Sequence, residues 1–482
     1  MVLDADAAYL AVKARDARFD GRLFIGVTST GVYCRPVCRV RTPRRENCRF
    51  FDTRAQAEGG GFRPCLKCRP EIAPGLSQMD SSQQLADTAA RWIEHAVHGG
   101  TPFQLPQLAT RLGVTDRHLR RIFQATHGVG PHAYLTTQRL LLAKQLLTDT
   151  TQPITQVALA SGFDSLRRFN AAFVEHYRLN PSQLRRGRGA APAADAPLRL
   201  AYRPPYDIDA VLAFFALRQV RGIEQVEGMT LRRTLGWTHR GQRLTGWLAC
   251  RFVPERHEVH VHAAPDLAPV LGAVLQAVRQ GLDLDADPDR IDPALAQVPG
   301  PQRAGTRLPS GLDGFELAVR VILGQQVTVK AARTLTERLV QRFGTPVDTP
   351  WPALTQVFPD APTLAAADPE AIGTLGIVRQ RVRALQALAT EVAAGRIELH
   401  RGAPLDATMA ALNALPGIGD WTSQVIAMRA LAWPDAWPAG DIALMNALGS
   451  RDPKHITALA EPWRPWRAYA VMKLWHSLEN PT

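Results

Sequence analysis

Four cysteines near the start of the chain have the spacing of a metal site. Cys34 and Cys38 are separated by three residues, Cys65 and Cys68 by two, and 26 residues lie between the pairs. Each pair can place two thiolates on one turn of chain, and two such turns complete a tetrahedral four-thiolate zinc site. A closed site of this kind ordinarily serves folding alone. Here Arg35, Arg39, Arg41, Arg44, Arg45, Arg49, Arg63, Lys67 and Arg69 crowd the ligands. Cations beside a metal-bound thiolate hold it ionised and can seat a phosphate, and a thiolate is a good nucleophile toward a methyl group. Cys48 and Cys250 fall outside the pattern and read as packing residues.

A second constellation lies near the other end. The string LPGIGDW at 415–421 sits between helical segments. Gly417 and Gly419 permit a tight hairpin, and the helix that follows offers free N–H groups to a phosphate. Asp441 follows Gly419 by 22 residues, in WPAGDIALMNAL, just before an apolar helix. An acid in that place is most often an N-cap.

The elements that must position these groups divide the chain. At 482 residues it exceeds one ordinary core. We read a module at 1–76 with the cysteines, helical spacing at 80–187, a linker at 188–197 within RGRGAAPAADAP, strands with a helix at 198–285, and a nearly all-helical region at 286–482. The stretch QLPQLATRLGVTDRHLRRIFQ (104–124) predicts a helix, a turn at Gly113 and a second helix capped by Thr115. Leu108, Leu112, Leu119, Ile122 and Phe123 form its expected core, with Arg117, Arg120 and Arg121 projecting from the second helix. The stretch PITQVALASGFDSLRRFNAAF repeats the plan, with Gly162 at the turn and Arg167, Arg168 and Asn170 exposed. Basic second helices suit the DNA major groove.

Charge placement agrees. Up to residue 190 there are 27 Lys and Arg against 15 Asp and Glu, and beyond it 30 against 29. The first part should grip a polyanion through its overall field. No apolar run approaches the roughly 20 residues that span a bilayer. The N-terminus carries early acids and no apolar signal core, so a cytoplasmic, nucleoid-associated protein without membrane contact is expected.

Several strings resemble known families. TGVYCRPVCRVRTPRREN and GFRPCLKCRPE resemble the N-terminal domain of the adaptive-response regulator Ada, over about 8–72. That resemblance implies one zinc ion on the four cysteines, with Cys34 irreversibly accepting the methyl group of a DNA methylphosphotriester. The lost negative charge then strengthens sequence-specific DNA binding. The tandem helical units resemble the AraC-type regulator domain over about 85–186, which implies promoter DNA and RNA polymerase as partners. YRPPYDIDAVLAFFALRQVRGIE, FELAVRVILGQQVTV, LPGIGDWTSQVIAMRAL and EPWRPWRAYAVMKLWH resemble 3-methyladenine DNA glycosylase II, of the helix-hairpin-helix superfamily, across about 198–482. The fold class expected is therefore multidomain: a small α/β zinc module, an all-α tandem helix-turn-helix domain, a mixed α+β sheet domain and an all-α helix-hairpin-helix glycosylase bundle.

The glycosylase resemblance implies a chemistry that the residue types suit. N-glycosidic cleavage develops positive charge on the sugar, which the Asp441 carboxylate would stabilise while orienting water. Relatives that also cut the strand place a lysine where this chain has Trp421, so no Schiff base is expected. Trp421 and Trp475 match stacking positions, where indole faces attract a cationic alkylated base by roughly 0.5–2 kcal/mol. Core packing is their alternative. Gln326, in the GQQV loop, matches the wedge that enters damaged double-stranded DNA when the base leaves the stack. The resemblance also allows an alkali cation at the hairpin. Three departures stand out: pocket tyrosines are replaced by Val425 and Ile442, the wedge is polar, and the second Ada methyltransferase, with its PCHR motif, is absent. The rival reading is a damage-sensing regulator whose last half only docks on DNA.

Overall fold

A computed structural model describes residues 4–15, 19–20, 23–72, 78–99, 103–150, 152–186, 197–239 and 241–479. The expected linker lies outside the described residues, save residue 197. The chain divides into two compact units, 1–90 with 104–133, and 91–103 with 134–482. No helix among the described residues is long and apolar enough to cross a membrane.

In the first unit, helix α1 (Ala5–Ala14) is capped by Asp4. It lays Ala8, Ala11 and Val12 on Leu23, Ile25 and Cys48 of a small sheet. The strands are β1 (Phe24–Val27), β2 (Val32–Cys34), β3 (Cys48–Phe51) and β4 (Arg63–Pro64), in the order β3-β1-β2-β4. Phe24, Tyr33, Ala57 and Phe62 form a second small core, to which α2 (Arg54–Gly59) contributes Ala57. Helix α3 (Gln78–Gly99) precedes α4 (Leu105–Arg111) and α5 (Asp116–His127). Gly113 turns between α4 and α5 at φ +66, and the Thr115 side chain caps α5 by accepting from the His118 N–H. Leu108, Leu119, Ile122 and Phe123 are buried, whereas Leu112, at the end of α4, is only half-buried.

In the second unit the helical plan repeats in α6 (Pro131–Asp149), α7 (Ile154–Ala160), α8 (Leu166–Tyr177) and α9 (Pro181–Arg186). Gly162 takes φ +80 at the turn and Ser165 caps α8. Strands β5 (Leu198–Ala201), β6 (Glu224–Glu227), β7 (Thr230–His239), β8 (Gln242–Val253) and β9 (Glu258–Ala263) follow, with α10 (Ile208–Arg218) after β5. They form a sheet of order β5-β9-β8-β7-β6 that is antiparallel throughout. The domain is thus mixed in combining strands with helices. Helix α11 (Leu271–Gly281) is buried along most of its length. A Cβ at Gly272 would fall 2.8 Å from the Leu142 side chain of α6, so this close approach needs glycine. Gln152 Nε2 also donates to the Ala268 carbonyl at 3.4 Å. The segment carrying α6 and α7 therefore rests on the sheet domain.

The bundle comprises α12 (Pro288–Leu295), α13 (Gly314–Leu323), α14 (Val329–Phe343), α15 (Ala361–Ala366), α16 (Pro369–Gly373), α17 (Arg379–Ala393), α18 (Leu405–Asn413), α19 (Asp420–Arg429), α20 (Ile442–Ala447), α21 (Pro453–Ala460) and α22 (Arg467–Glu479). A two-stranded ribbon, β10 (Thr345–Pro346) with β11 (Gln356–Val357), interrupts it. The bundle has two apolar cores, one around α13, α17 and α19, the other around α12, α20 and α22. A buried ionic cluster joins sheet and bundle. Arg233 and Arg320 each reach Glu224 at 3.1 Å, and both also pair with Glu316. The two guanidiniums outweigh burial and hold the Glu224 carboxyl below its usual range, whereas burial wins at Glu316 and raises it.

Candidate functional site

The cysteine cluster follows from strand pairing. Cys34 ends β2, and Cys65 follows β4, the parallel partner of β2. The Cys65 N–H donates to the Tyr33 carbonyl at 3.0 Å, which sets the two cysteines side by side. A turn from Arg35 brings back Cys38 (N–H to carbonyl, 3.1 Å), and a second from Cys65 to Arg69 carries Cys68 (2.9 Å). All four cysteines are buried, and their sulfurs lie within 4.8 Å of one another. Four ligands on a tetrahedron of about 2.3 Å radius sit about 3.8 Å apart, so the donor set fits one zinc ion. Its electrostatics ask for one. Hydrogen bonding to Cys38 and Cys68, with burial, pushes the Cys34 thiol up, while the hydrogen bonds that Cys38 accepts from Cys34 and Cys68 pull Cys38 down. A central dication would favour the ionised form of all four sulfurs at once.

Cys34, Cys38 and Cys65 line a groove of about 460 Å³ with Arg41 and Arg63. Arg41 and Arg63 are exposed, as are Arg39 and Arg49. Arg35 lines the groove as well, but it is buried and its Nε pairs with Asp20 at 2.7 Å, so it braces the fold. On α5, Arg117, Arg120 and Arg121 are exposed. Arg120 pairs with Asp116 at 3.1 Å, and Arg121 lies 3.0 Å from His118 Nδ1. On α8, Arg167 and Arg168 are exposed, while Asn170 is half-buried.

The second site brings together three helices. Asp441 caps α20, its Oδ1 accepting from the Leu444 N–H at 3.1 Å. It is 8% exposed, yet it does more than cap. The Trp421 indole N–H of α19 donates to Oδ2 at 2.9 Å, and the Trp475 indole N–H of α22 donates to Oδ1 at 3.1 Å. Three donors thus fix a nearly buried carboxylate, which suits a group that must meet a cation without reorganising. Both indoles are half-buried against the apolar cores, so packing and a site position coincide. Arg218 lies 3.9 Å from the Phe214 ring and 6.0 Å from that of Trp475. Of the departures, Val425 is buried in the core and Ile442 is 65% exposed next to Asp441.

Gly417 takes φ +77 in the hairpin, and a Cβ there would meet Ala384 of α17 at 3.3 Å. Gly419 is the N-cap of α19. Gln326 is exposed in the loop between α13 and α14. Sequence reasoning missed its neighbour. Gln325 Nε2 donates to the Gly417 carbonyl and the Thr422 hydroxyl, each at 2.9 Å. Only a second glutamine beside Gln326 could have signalled it.

Comparison with known proteins agrees with this layout. The chain matches the families described as "Metal binding domain of Ada" over 7–71, "Helix-turn-helix domain" over 108–187, "AlkA N-terminal domain" over 197–313 and "HhH-GPD superfamily base excision DNA repair protein" over 319–460. It is 38% identical over 498 aligned positions to a Mycobacterium tuberculosis protein named "Probable bifunctional transcriptional activator/DNA repair enzyme AlkA", covering 99% of this chain and 97% of the relative. It is 34% identical to DNA-3-methyladenine glycosylase 2 of Escherichia coli, covering 58% of this chain and 96% of that one. A 3-methyladenine DNA-glycosylase from Archaeoglobus fulgidus superposes with a TM-score of 0.50 at 19% identity, covering 58% of this chain and 98% of that chain, a likeness of fold.

Proposed function

The chain belongs to the family of bifunctional transcriptional activator/DNA repair enzymes of the AlkA type, and from that premise we propose that its two sites perform separate steps of one response to DNA alkylation. It is a DNA-3-methyladenine glycosylase joined to a methyl-accepting regulator. We assign 1–76 to the methyl acceptor, 80–187 to the regulator, 188–197 to the linker, 198–285 to the sheet domain and 286–482 to the glycosylase.

Asp441 is the catalytic residue of excision. As the bond from C1′ to the damaged base lengthens, positive charge grows on the sugar, and the carboxylate faces it. Water adds at C1′, the electron pair of the C–N bond leaves with the base, and the water's proton is lost to Asp441 or solvent. The indoles of Trp421 and Trp475 offer faces to the alkylated base while their N–H groups steady the carboxylate. No lysine stands at position 421, so the strand is not cut. Gln326 fills the stack the base has left, and Gly417 and Gly419 bring the hairpin to a phosphate. The single observation that carries this reading is the pair of indoles hydrogen-bonded to one carboxylate. Base release from N-methylated duplex DNA tests it: wild type should free 3-methyladenine without nicking, and Asp441→Asn should lose about 10³-fold. A wild type that binds this DNA and frees nothing would make the half a docking module.

Cys34, Cys38, Cys65 and Cys68 would hold one zinc ion, which would keep their sulfurs ionised and together. Cys34 attacks the methyl group of a methylphosphotriester seated by Arg41 and Arg63. A sulfur–carbon bond forms, the methyl–oxygen bond breaks, and a phosphodiester anion leaves. The thiolate becomes a neutral thioether, which weakens repulsion toward DNA. Arg117, Arg120 and Arg121 on α5, with Arg167 and Arg168 on α8, then hold promoter DNA, and bound protein recruits RNA polymerase. This work belongs in the cytoplasm at the nucleoid. An alkali cation at the hairpin would take backbone carbonyls of residues 415–419, and excision measured in tetramethylammonium against potassium at equal ionic strength tests it.

A further inference from the structure

We propose that Gln325 is a positioning residue for base extrusion, tying the exposed loop tip at Gln326 to the hairpin so that gripping the phosphate and opening the stack become one event. The proposal rests on the reading of the Asp441 cleft as the excision site.

The loop between α13 and α14 runs over residues 324–328, and its tip, Gln326 with Val327, is exposed. Gln326 adopts φ +54. A left-handed conformation strains a residue with a Cβ, and it persists only where the surroundings over-determine it. They do so one residue back. The half-buried Gln325 spends both Nε2 hydrogens, one on the Gly417 carbonyl and one on the Thr422 hydroxyl. Its own carbonyl accepts from the Arg381 guanidinium of α17, and its N–H donates to the Ile322 carbonyl of α13 at 3.3 Å. One residue is therefore fixed by α13, by α17, by the hairpin and by α19.

The partners matter as much as the count. Gly417 is the hairpin residue whose missing side chain lets Ala384 of α17 approach. Thr422 is buried and adjoins Trp421, whose indole holds Asp441. The clamp thus ends one residue from the cleft and begins one residue from the tip. Phosphate capture at the hairpin fixes Gly417, and through the amide it fixes the strained tip that must stand in the stack. Only an amide of this length serves. Methionine matches its reach without donors, and asparagine is too short.

The experiment uses the full-length protein and its Gln325→Met variant in single-turnover excision of one alkylated purine from two synthetic duplexes. In the first the lesion faces its normal partner. In the second it faces an abasic gap, where less unpairing is needed. A 2-aminopurine beside the lesion brightens when the stack opens. Gln325→Met should be slower by about tenfold to a hundredfold on the paired duplex, lose the brightening, and stay within about twofold on the gapped one. Thr422→Val, which removes one acceptor, should show the same selectivity with a smaller loss. Equal losses on both duplexes, or none on either, would overturn the proposal. Failure of the underlying reading looks different: wild type would then excise from neither duplex.

Discussion

The cysteine cluster and the Asp441 cleft both bury charge, but they are assembled in opposite ways. The cluster is local. Two turns on neighbouring strands supply every ligand between residues 34 and 68, and the small cores beside it are a few side chains each. The cleft is tertiary. The partners of Asp441 lie 20 residues before it and 34 after it, on helices that two extended cores hold in place. The cluster should therefore depend on its ion and the cleft on its bundle. Their failures should be separable.

Zinc removal should have the largest effect, and it should fall on the cluster alone. The free energy of structural zinc binding is of order 10 kcal/mol and is largely folding free energy for a small module. Chelation should melt the circular-dichroism signal of the first 76 residues and abolish Cys34 methylation, yet leave base excision within about twofold. Loss of excision on chelation would mean that the sites are coupled.

Smaller perturbations should strike the other side. Glu224→Gln leaves two buried guanidiniums short of a partner, and breaking such a pair costs about 3–5 kcal/mol. Denaturant melting should fall by that amount, with zinc content unchanged. A gentler lever is pH. Burial raises the Asp283 carboxyl to about 6, against the Leu308 N–H and Tyr469 hydroxyl that donate to it. The native state then binds its proton more tightly than the unfolded chain does. Its contribution to stability is full below about pH 4 and is lost as pH rises through 6, by about 1–3 kcal/mol. Asp283→Asn should flatten melting of the second unit across that window, and an unchanged slope would refute the assignment.

The same contrast explains what could be read in advance. Cysteine spacing specified the cluster because its ligands are near neighbours in sequence, and the Gly113 and Gly162 turns announced both helical pairs for the same reason. That Arg35 is buried among the cysteines while its neighbours are exposed could not be read from the string, because Asp20, which pairs with it, meets it only in the fold. Asp441 looked like an N-cap and is one. That its oxygens also take two indole N–H groups depends on how α19, α20 and α22 pack, and the sequence reading, which gave the tryptophans as stacking positions, did not foresee it. Gln325 was invisible because the partners of its side-chain amide lie over 90 residues away.

The most direct test of two separate chemistries is one reaction read twice. Methylated DNA is incubated with wild type, Cys34→Ser and Asp441→Asn, and both released bases and the intact mass of the protein are measured. Cys34→Ser should free 3-methyladenine but gain no methyl group, while Asp441→Asn should gain the methyl group and free no base. A single substitution that abolished both signals would show that the two chemistries are not separate.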